Sequence, residues 1–379
     1  MYPFHSRLWL IDLLKTVAAQ FIVLHHLAWF GPLSINAAAL APAVADTIAW
    51  LANYGRYAVA VFFATGGFLA AQGLTPSGLN SGDSPLCLIR ERYLRLVFPF
   101  MAALLLSIAC NFVARPWLPP DLAGSPPEIL QFLAHVLMLQ GVLDIESLSA
   151  GVWYVAIDFQ LYALFVLLLW GGQHMLRRRP ANTDFYGVVP VLLVALASLF
   201  YFNRDAHWDD TAFYFFGAYA LGIVSGWAVQ MEKPTRMLWL VAAAGLLALL
   251  VDFRPRIAIA LATALILGCN RLHNLGWEMR VLHYFGSTSY ALFLVHFPIL
   301  LLITAFFQYQ SWTDPAISTF GLFVAWLASI LVADVFHRGV ELPFARWRKR
   351  QVQCSTRRKP EAGNKVSSVS TINRPRNTA

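Results

Sequence analysis

Charge is the scarcest property of this chain. Only 13% of its 379 residues are Asp, Glu, Lys or Arg, against about 25% in a soluble domain. That shortage excludes an ordinary cytosolic enzyme and a disordered chain. Cysteine is scarce too. The four, Cys87, Cys110, Cys269 and Cys354, are scattered without CxxC spacing, which points to neither a zinc knuckle nor a disulfide framework. No metal is expected. No linker separates water-soluble cores, and no internal repeat of the transporter kind is visible. What is present is hydrocarbon: 58% of the residues are hydrophobic and the mean hydropathy is +0.58. The composition predicts an all-α, polytopic transmembrane bundle.

A spanning helix needs about 20 mostly apolar residues. Ten candidates lie near 8–28, 48–72, 96–113, 151–172, 186–202, 212–230, 237–252, 256–271, 286–308 and 316–336. The first is read as an uncleaved helix, because a signal h-region rarely carries an Asp and a Lys. A further apolar stretch, 129–143, is short and contains Gln131, His135 and Gln140. If it does not span, both termini share one side. Loops on that side carry Arg90, Arg92, Arg95, Arg177–Arg179, Lys233, Arg236, Arg271 and Arg280. The opposite loops carry only Arg115, Arg204, Arg254 and Arg256. Cytoplasmic loops are the Lys/Arg-rich ones. Both termini are therefore expected in the cytoplasm, and 129–143 is expected to be re-entrant or interfacial within an outer loop, 114–150.

The net charge of +8 is local. Residues 346–379 hold 10 of the 28 Lys and Arg but 1 of the 20 Asp and Glu, a charge of +9, which leaves −1 for the rest. The expected organisation is a transmembrane domain over 1–345 and a basic, irregular cytoplasmic tail over 346–379. The tail's partner is the anionic bilayer surface, not nucleic acid.

Ionisable groups in hydrocarbon are costly and mark functional sites by default. The first helix reads WLIDLLKTVAAQFIVLHHLAWF. Lys15 and His26 are eleven positions apart, close to three whole turns, so they share a face and lie roughly 16 Å apart along the axis. Asp12 is one turn before Lys15, within reach of a local ion pair. In the second helix Arg56 is expected in the outer third. The Gly66-Gly67 pair there permits close helix approach. In the fourth helix Asp158 is also expected in the outer half, with Gln160 and Tyr162 nearby. His26, Arg56 and Asp158 thus reach similar outer depth from three helices. A histidine with an orienting carboxylate is a general acid/base arrangement. A structural Arg56–Asp158 pair is the plainer alternative. On the inner side Arg92 and Arg95, with Arg90, suit phosphate groups or serve only as positive-inside charges. His296 falls near mid-membrane in the ninth helix.

These segments, in this order, resemble the membrane acyltransferase-3 family of bacterial O-acyltransferases. Lys15 and His26 resemble its basic-x10-His motif. GRYAVAVFFATGGF resembles its Phe-Phe-x-x-Ser-Gly-Phe segment, and RERYLRLVFP its Arg-rich start of the third helix. WYVAIDFQLY resembles Trp-Ser-Leu-x-x-Glu-x-x-Phe-Tyr. GSTSYALFLVHFP resembles Gly-x-x-Ser-Tyr-x-Leu-Tyr-Leu-x-His-x-Pro, and Glu341-Leu342-Pro343 matches a Glu-x-Pro ending. Three residues depart from the pattern: Gly66 and Tyr154 stand where Ser is usual, and Asp158 stands where Glu is usual.

The resemblance implies transfer of an acyl group, most often acetyl, from cytosolic acyl-CoA to a hydroxyl of a glycan or glycolipid at a bacterial cytoplasmic membrane. In that reading Lys15, Arg92 and Arg95 bind the CoA phosphates. His26 is the general base, Asp158 orients it or binds the acceptor, and Arg56 stabilises the oxyanion or holds the acceptor. Trp153, Tyr162 and His296 contact the acceptor. Direct transfer and an acyl-histidine intermediate both fit. A glycolipid transporter without chemistry is the competing class, although no pair of broken helices in matched halves is visible.

Overall fold

A computed structural model describes residues 5–75, 79, 84–124, 126–176, 187–231, 234–269 and 278–357. Among these residues the chain is helical and contains no β-strand. In chain order the helices are α1 (His5–Trp29), α2 (Pro32–Ala38), α3 (Pro42–Tyr54), α4 (Val59–Gly73), α5 (Pro85–Ala114), α6 (Pro120–Ala123), α7 (Ile129–Val136) and α8 (Val152–Leu176). They continue as α9 (Val188–Phe200), α10 (Ala212–Gln230), α11 (Pro234–Val251), α12 (Pro255–Cys269), α13 (Glu278–Tyr309), α14 (Pro315–Phe336) and α15 (Leu342–Arg357). Proline opens α2, α3, α5, α11, α12 and α14, where its fixed φ suits the first turn and its missing N–H goes unused.

Among the described residues seven stretches are long and apolar enough to cross a membrane: Trp9–Trp29, Pro85–Trp117, Val152–Met175, Ala212–Gln230, Pro234–Val251, Val281–Tyr309 and Pro315–Arg348. Val188–Arg204 and Pro255–Cys269 are apolar but shorter. This is a multi-pass membrane protein. Arg177–Arg179, Lys233 and Arg271, used above for orientation, lie outside the described residues.

Three expectations are corrected. The second span, 48–72, is broken: α3 ends at Tyr54, a 3-10 turn covers Gly55–Ala58, and α4 follows. The turn hugs α1, for a Cβ on Gly55 would lie 2.8 Å from His25 Cβ and 3.0 Å from the Phe21 carbonyl oxygen. Apolar content alone conceals such a break. Second, the segment from Arg346 is helical as far as Arg357. A π-turn over His337–Glu341 joins α14 to α15, and Phe344 stacks on Phe98 of α5 at 4.3 Å. Residues 358–379 lie outside the described residues. The third concerns the depth of Asp158 and is taken up with the site.

The crossing of α4 and α10 is the tightest packing in the bundle. A Cβ on Gly67 would lie 2.0 Å from the Tyr219 carbonyl oxygen, and one on Gly222 would lie 1.9 Å from that of Ala64. Backbone meets backbone here, as small residues allow. Gly67→Ala is expected to cost at least the roughly 1–3 kcal/mol of an overpacked core. Gly171→Ala, where a Cβ meets nothing within 4 Å, is expected to be near neutral. Thermal unfolding of both variants in detergent checks this; equal melting temperatures would refute it.

The 129–143 stretch does not span. Its helix, α7, is eight residues long, about 12 Å, against a hydrocarbon core of about 30 Å. Glu128 and Gln131 form a capping box at its start. Tyr93 Oη donates to the Val136 carbonyl at 2.7 Å, and Gln160 Nε2 donates to Met138 at 2.8 Å. The segment therefore packs against α5 and α8. His135 holds it shut. Its Nδ1–H donates to the Gln131 carbonyl at 2.7 Å, and its Nε2 accepts from Leu148 N–H at 3.1 Å.

Burial lowers the pKa of His135 below the ordinary value of 6.5, so the fold favours the neutral ring. The Leu148 bond is thus fully present above about pH 6.5 and is lost as pH falls below it. Leu148 amide exchange, corrected for intrinsic rates, is expected to stay flat at and above about pH 6.5 and to speed up only as pH is taken below it. An unchanged corrected rate would contradict this.

Candidate active site

α1 and α13 run side by side in the same direction. Asp12 meets His283 and Gly286 at one level, and His26 meets His296 further along. Asp12 Oδ2 accepts from His283 Nδ1 at 2.9 Å. Asp12 thus spends its carboxylate on α13 rather than on Lys15. Among the described residues Lys15 has no ion pair; it lies in the field of Asp12, Arg95, Arg92 and Asp158.

The histidines form the upper of two polar layers. His26 Nδ1 and His296 Nε2 are 2.6 Å apart, and the rings are nearly parallel with centroids 4.9 Å apart. His296 Nδ1 lies 3.0 Å from the Leu292 carbonyl oxygen. A carbonyl only accepts, so His296 carries its proton on Nδ1 and presents Nε2 as an acceptor. His26 must then donate through Nδ1–H. Its Nε2 keeps a lone pair, and among the described residues His26 makes no other hydrogen bond. A ring with its tautomer fixed and one nitrogen available is what base catalysis requires. Both rings are buried, His26 at 8% and His296 at 1% exposure. His25 is next to them, its ring centroid 5.1 Å from that of His26 and its Nδ1–H on the Leu51 carbonyl.

α8 begins at this level. A Cβ on Gly151 would lie 2.6 Å from the Phe293 carbonyl oxygen and 3.3 Å from His296 Cε1. The preceding loop has carried the chain into the bundle before the helix starts. Asp158 lies seven residues further along α8, about 10 Å deeper. The expected convergence of Asp158 with His26 is therefore not found. Asp158 Oδ2 accepts instead from Arg92 Nη2 at 2.6 Å, so Arg56 is not its partner either.

This ion pair is the centre of the lower layer. The Arg92 guanidinium lies 5.3 Å over the Tyr162 ring, which puts Tyr162 here rather than beside His26. Gly66 faces the pair, since a Cβ there would stand 3.2 Å from Asp158 Oδ1 and 3.3 Å from the Tyr219 ring. Tyr290 Oη donates to the Leu96 carbonyl at 3.3 Å. Arg92 Nε and Tyr219 Oη are buried without a hydrogen-bond partner among the described residues. Arg95, exposed, adds a cation beside Arg92, and Arg348 of α15 adds another. Arg348 Nη1 also donates to the Glu91 carbonyl at 3.4 Å.

Arg56 is exposed and stacks over Tyr57 at 5.4 Å. It lies on the turn that packs against His25, with no contact to His26 among the described residues. Trp153 is half-buried against Phe215, centroids 5.8 Å apart. Sequence reasoning missed two things. One is the bond from His296 to His26, because the helices lie at opposite ends of the chain. The other is Arg348, whose basic surroundings read as a tail; the aromatic pair Phe344 and Trp347, three apart, was the available sign of a docked helix.

The layers give an unpaired imidazole nitrogen above and a cluster of cations below. Residues 8–334 match the family model described as an acyltransferase domain. No curated protein and no solved structure matches the chain. The match covers most of the chain and runs from α1 through α14, and on that ground the protein belongs to the acyltransferase-3 family and is a membrane acyltransferase.

Proposed function

We propose that the protein transfers an acyl group, acetyl above all, from acyl-CoA to a hydroxyl of a glycan or glycolipid at a bacterial cytoplasmic membrane. The observation that carries the mechanism is the His26–His296 bond. His296 holds the His26 proton on Nδ1, so Nε2 faces the reaction as a base. The acceptor oxygen attacks the thioester carbonyl while His26 Nε2 takes its proton. The tetrahedral intermediate then expels the CoA sulfur, which leaves with the proton held by His26. An ester and a free thiol result, and the imidazole returns neutral.

The donor enters from the layer of cations. Lys15, Arg92, Arg95 and Arg348 suit its phosphates, and guanidinium groups pair with phosphate through parallel N–H···O bonds. Lys15 and His26 are roughly 16 Å apart along α1, within reach of an extended pantetheine arm. Arg56, exposed at the level of His25, and Trp153 are contacts for the acceptor. Mass spectrometry of surface glycans and lipids, with and without the gene, tests the reading. An acyl-sized mass increment that depends on the gene supports transfer. Loss of the whole unmodified glycan from the surface would replace transfer with transport.

A further inference from the structure

Three aromatic rings fill the space between the two polar layers, one from each of three helices. Phe62 precedes Gly66 by four residues on α4, and Tyr154 precedes Asp158 by four on α8. Phe293 lies three residues from both Tyr290 and His296 on α13. Each ring is thus about one turn, 5–6 Å, from the layers. The rings meet pairwise, with centroids 5.5 Å apart for Phe62 and Tyr154, 4.9 Å for Tyr154 and Phe293, and 6.0 Å for Phe62 and Phe293. All three are buried, at 8%, 9% and 3% exposure. Above them Phe293 touches His296, centroids 6.0 Å apart. Below them Tyr154 lies in the field of Asp158 and Arg92.

A donor held by its phosphates below and reacting at His26 must pass these rings. We propose that Tyr154 is the specificity-determining residue of that passage: its ring closes the way between the cations and the histidine pair and admits only a short acyl group. The inference rests on the acyl-transfer reading and adds the class of donor.

Tyr154 is singled out from its neighbours by what holds each ring. Phe293 belongs to a backbone pressed against Gly151, where a Cβ would meet its carbonyl at 2.6 Å. Phe62 has Phe63 beside it, packed on Phe215 at 4.7 Å. The Tyr154 hydroxyl makes no hydrogen bond among the described residues, and its helix starts only two residues earlier, after the irregular stretch that ends at Gly151. Its ring also packs on Phe63, centroids 5.1 Å apart, so ring contacts alone, with no hydrogen bond, set its place.

The test uses washed native membranes containing the full-length protein and its own acceptors, with CoA thiol release as the readout. The donors are acetyl-, butyryl-, hexanoyl- and octanoyl-CoA. Wild type and Tyr154→Phe are expected to share one profile that falls steeply with chain length. Tyr154→Ser is expected to raise the hexanoyl-to-acetyl rate ratio by about tenfold or more, as a pocket opened by several heavy atoms should. Tyr154→Leu, which keeps apolar packing with a smaller side chain, is expected to move the ratio the same way and serves where Tyr154→Ser does not fold. A folded Tyr154→Ser or Tyr154→Leu that transfers acetyl with the wild-type profile would overturn this inference alone. A wild-type protein that releases CoA from none of the four donors would overturn it together with the acyl-transfer reading.

Discussion

His26→Ala should abolish nearly all acyl transfer while leaving the protein folded in the membrane. A positioned general base contributes about 10²–10⁴-fold to a rate, and no second unpaired nitrogen stands ready in the same place. His25 is adjacent and, with its Nδ1–H on the Leu51 carbonyl, also keeps an unpaired Nε2, but its ring centroid stands 5.1 Å from that of His26, too far to take over the same position. His296 acts through His26, so its variants should behave differently. His296→Ala removes the acceptor that fixes the His26 proton, and the rate should fall less than in His26→Ala, with a shifted pH–rate profile. His296→Gln retains a carbonyl oxygen able to accept from Nδ1–H, and part of the rate should return. Thiol release from acyl-CoA in membranes, followed across pH, separates these cases. A His26→Ala variant with wild-type rate would remove the histidine pair from the mechanism.

The second large effect is on stability and falls on the Arg92–Asp158 pair. Removing one partner of a buried ion pair costs about 3–5 kcal/mol, because the other charge is left uncompensated. The two singles should not be equal. Arg92→Ala strands a carboxylate whose side chain is 8% exposed, whereas Asp158→Ala strands a guanidinium that is 25% exposed and still lies over Tyr162. Arg92→Ala should therefore lower the melting temperature more. The double replacement Arg92→Met with Asp158→Leu exchanges the pair for apolar side chains, a change that is often neutral or better. It should recover stability without recovering donor binding. Recovery of activity along with stability would show that the pair only holds the bundle together. Equal melting temperatures for wild type and Arg92→Ala would show that the pair does not hold it at all.

The helices and their order were largely legible, because hydrocarbon thickness forces long apolar runs and Pro marks their starts. Lys15 and His26 could be placed on one face by counting turns, and counting needs no partner. Depth was harder to read. Counting from the outer end of α8 puts Asp158 near His26, but that end already lies at the level of His296, where Gly151 packs on Phe293. Pairing was hardest: nothing in α1 names His296 as the group that completes His26, and nothing near Arg92 names Asp158. Even Gly66 and Gly67, adjacent in sequence, divide their duties. Gly67 lets α10 approach, whereas Gly66 leaves room beside Asp158. A repeating pattern shows which face a residue is on, but not what stands opposite.

The distance along the chain between His26 and His296, 270 positions, has a consequence for biogenesis. Asp12 and His283 are 271 apart. Ribosomes add roughly 5–20 residues per second, so α1 waits on the order of 15–50 s before α13 exists. Throughout that interval it holds an aspartate, a lysine and two histidines at or within the bilayer without the partners that satisfy Asp12 and His26. A nascent chain stalled before α13 would display these groups to lipid, and membrane quality control would meet it as an unfinished protein. The proposed reaction centre is thus completed only once α13 has been made and packed on α1.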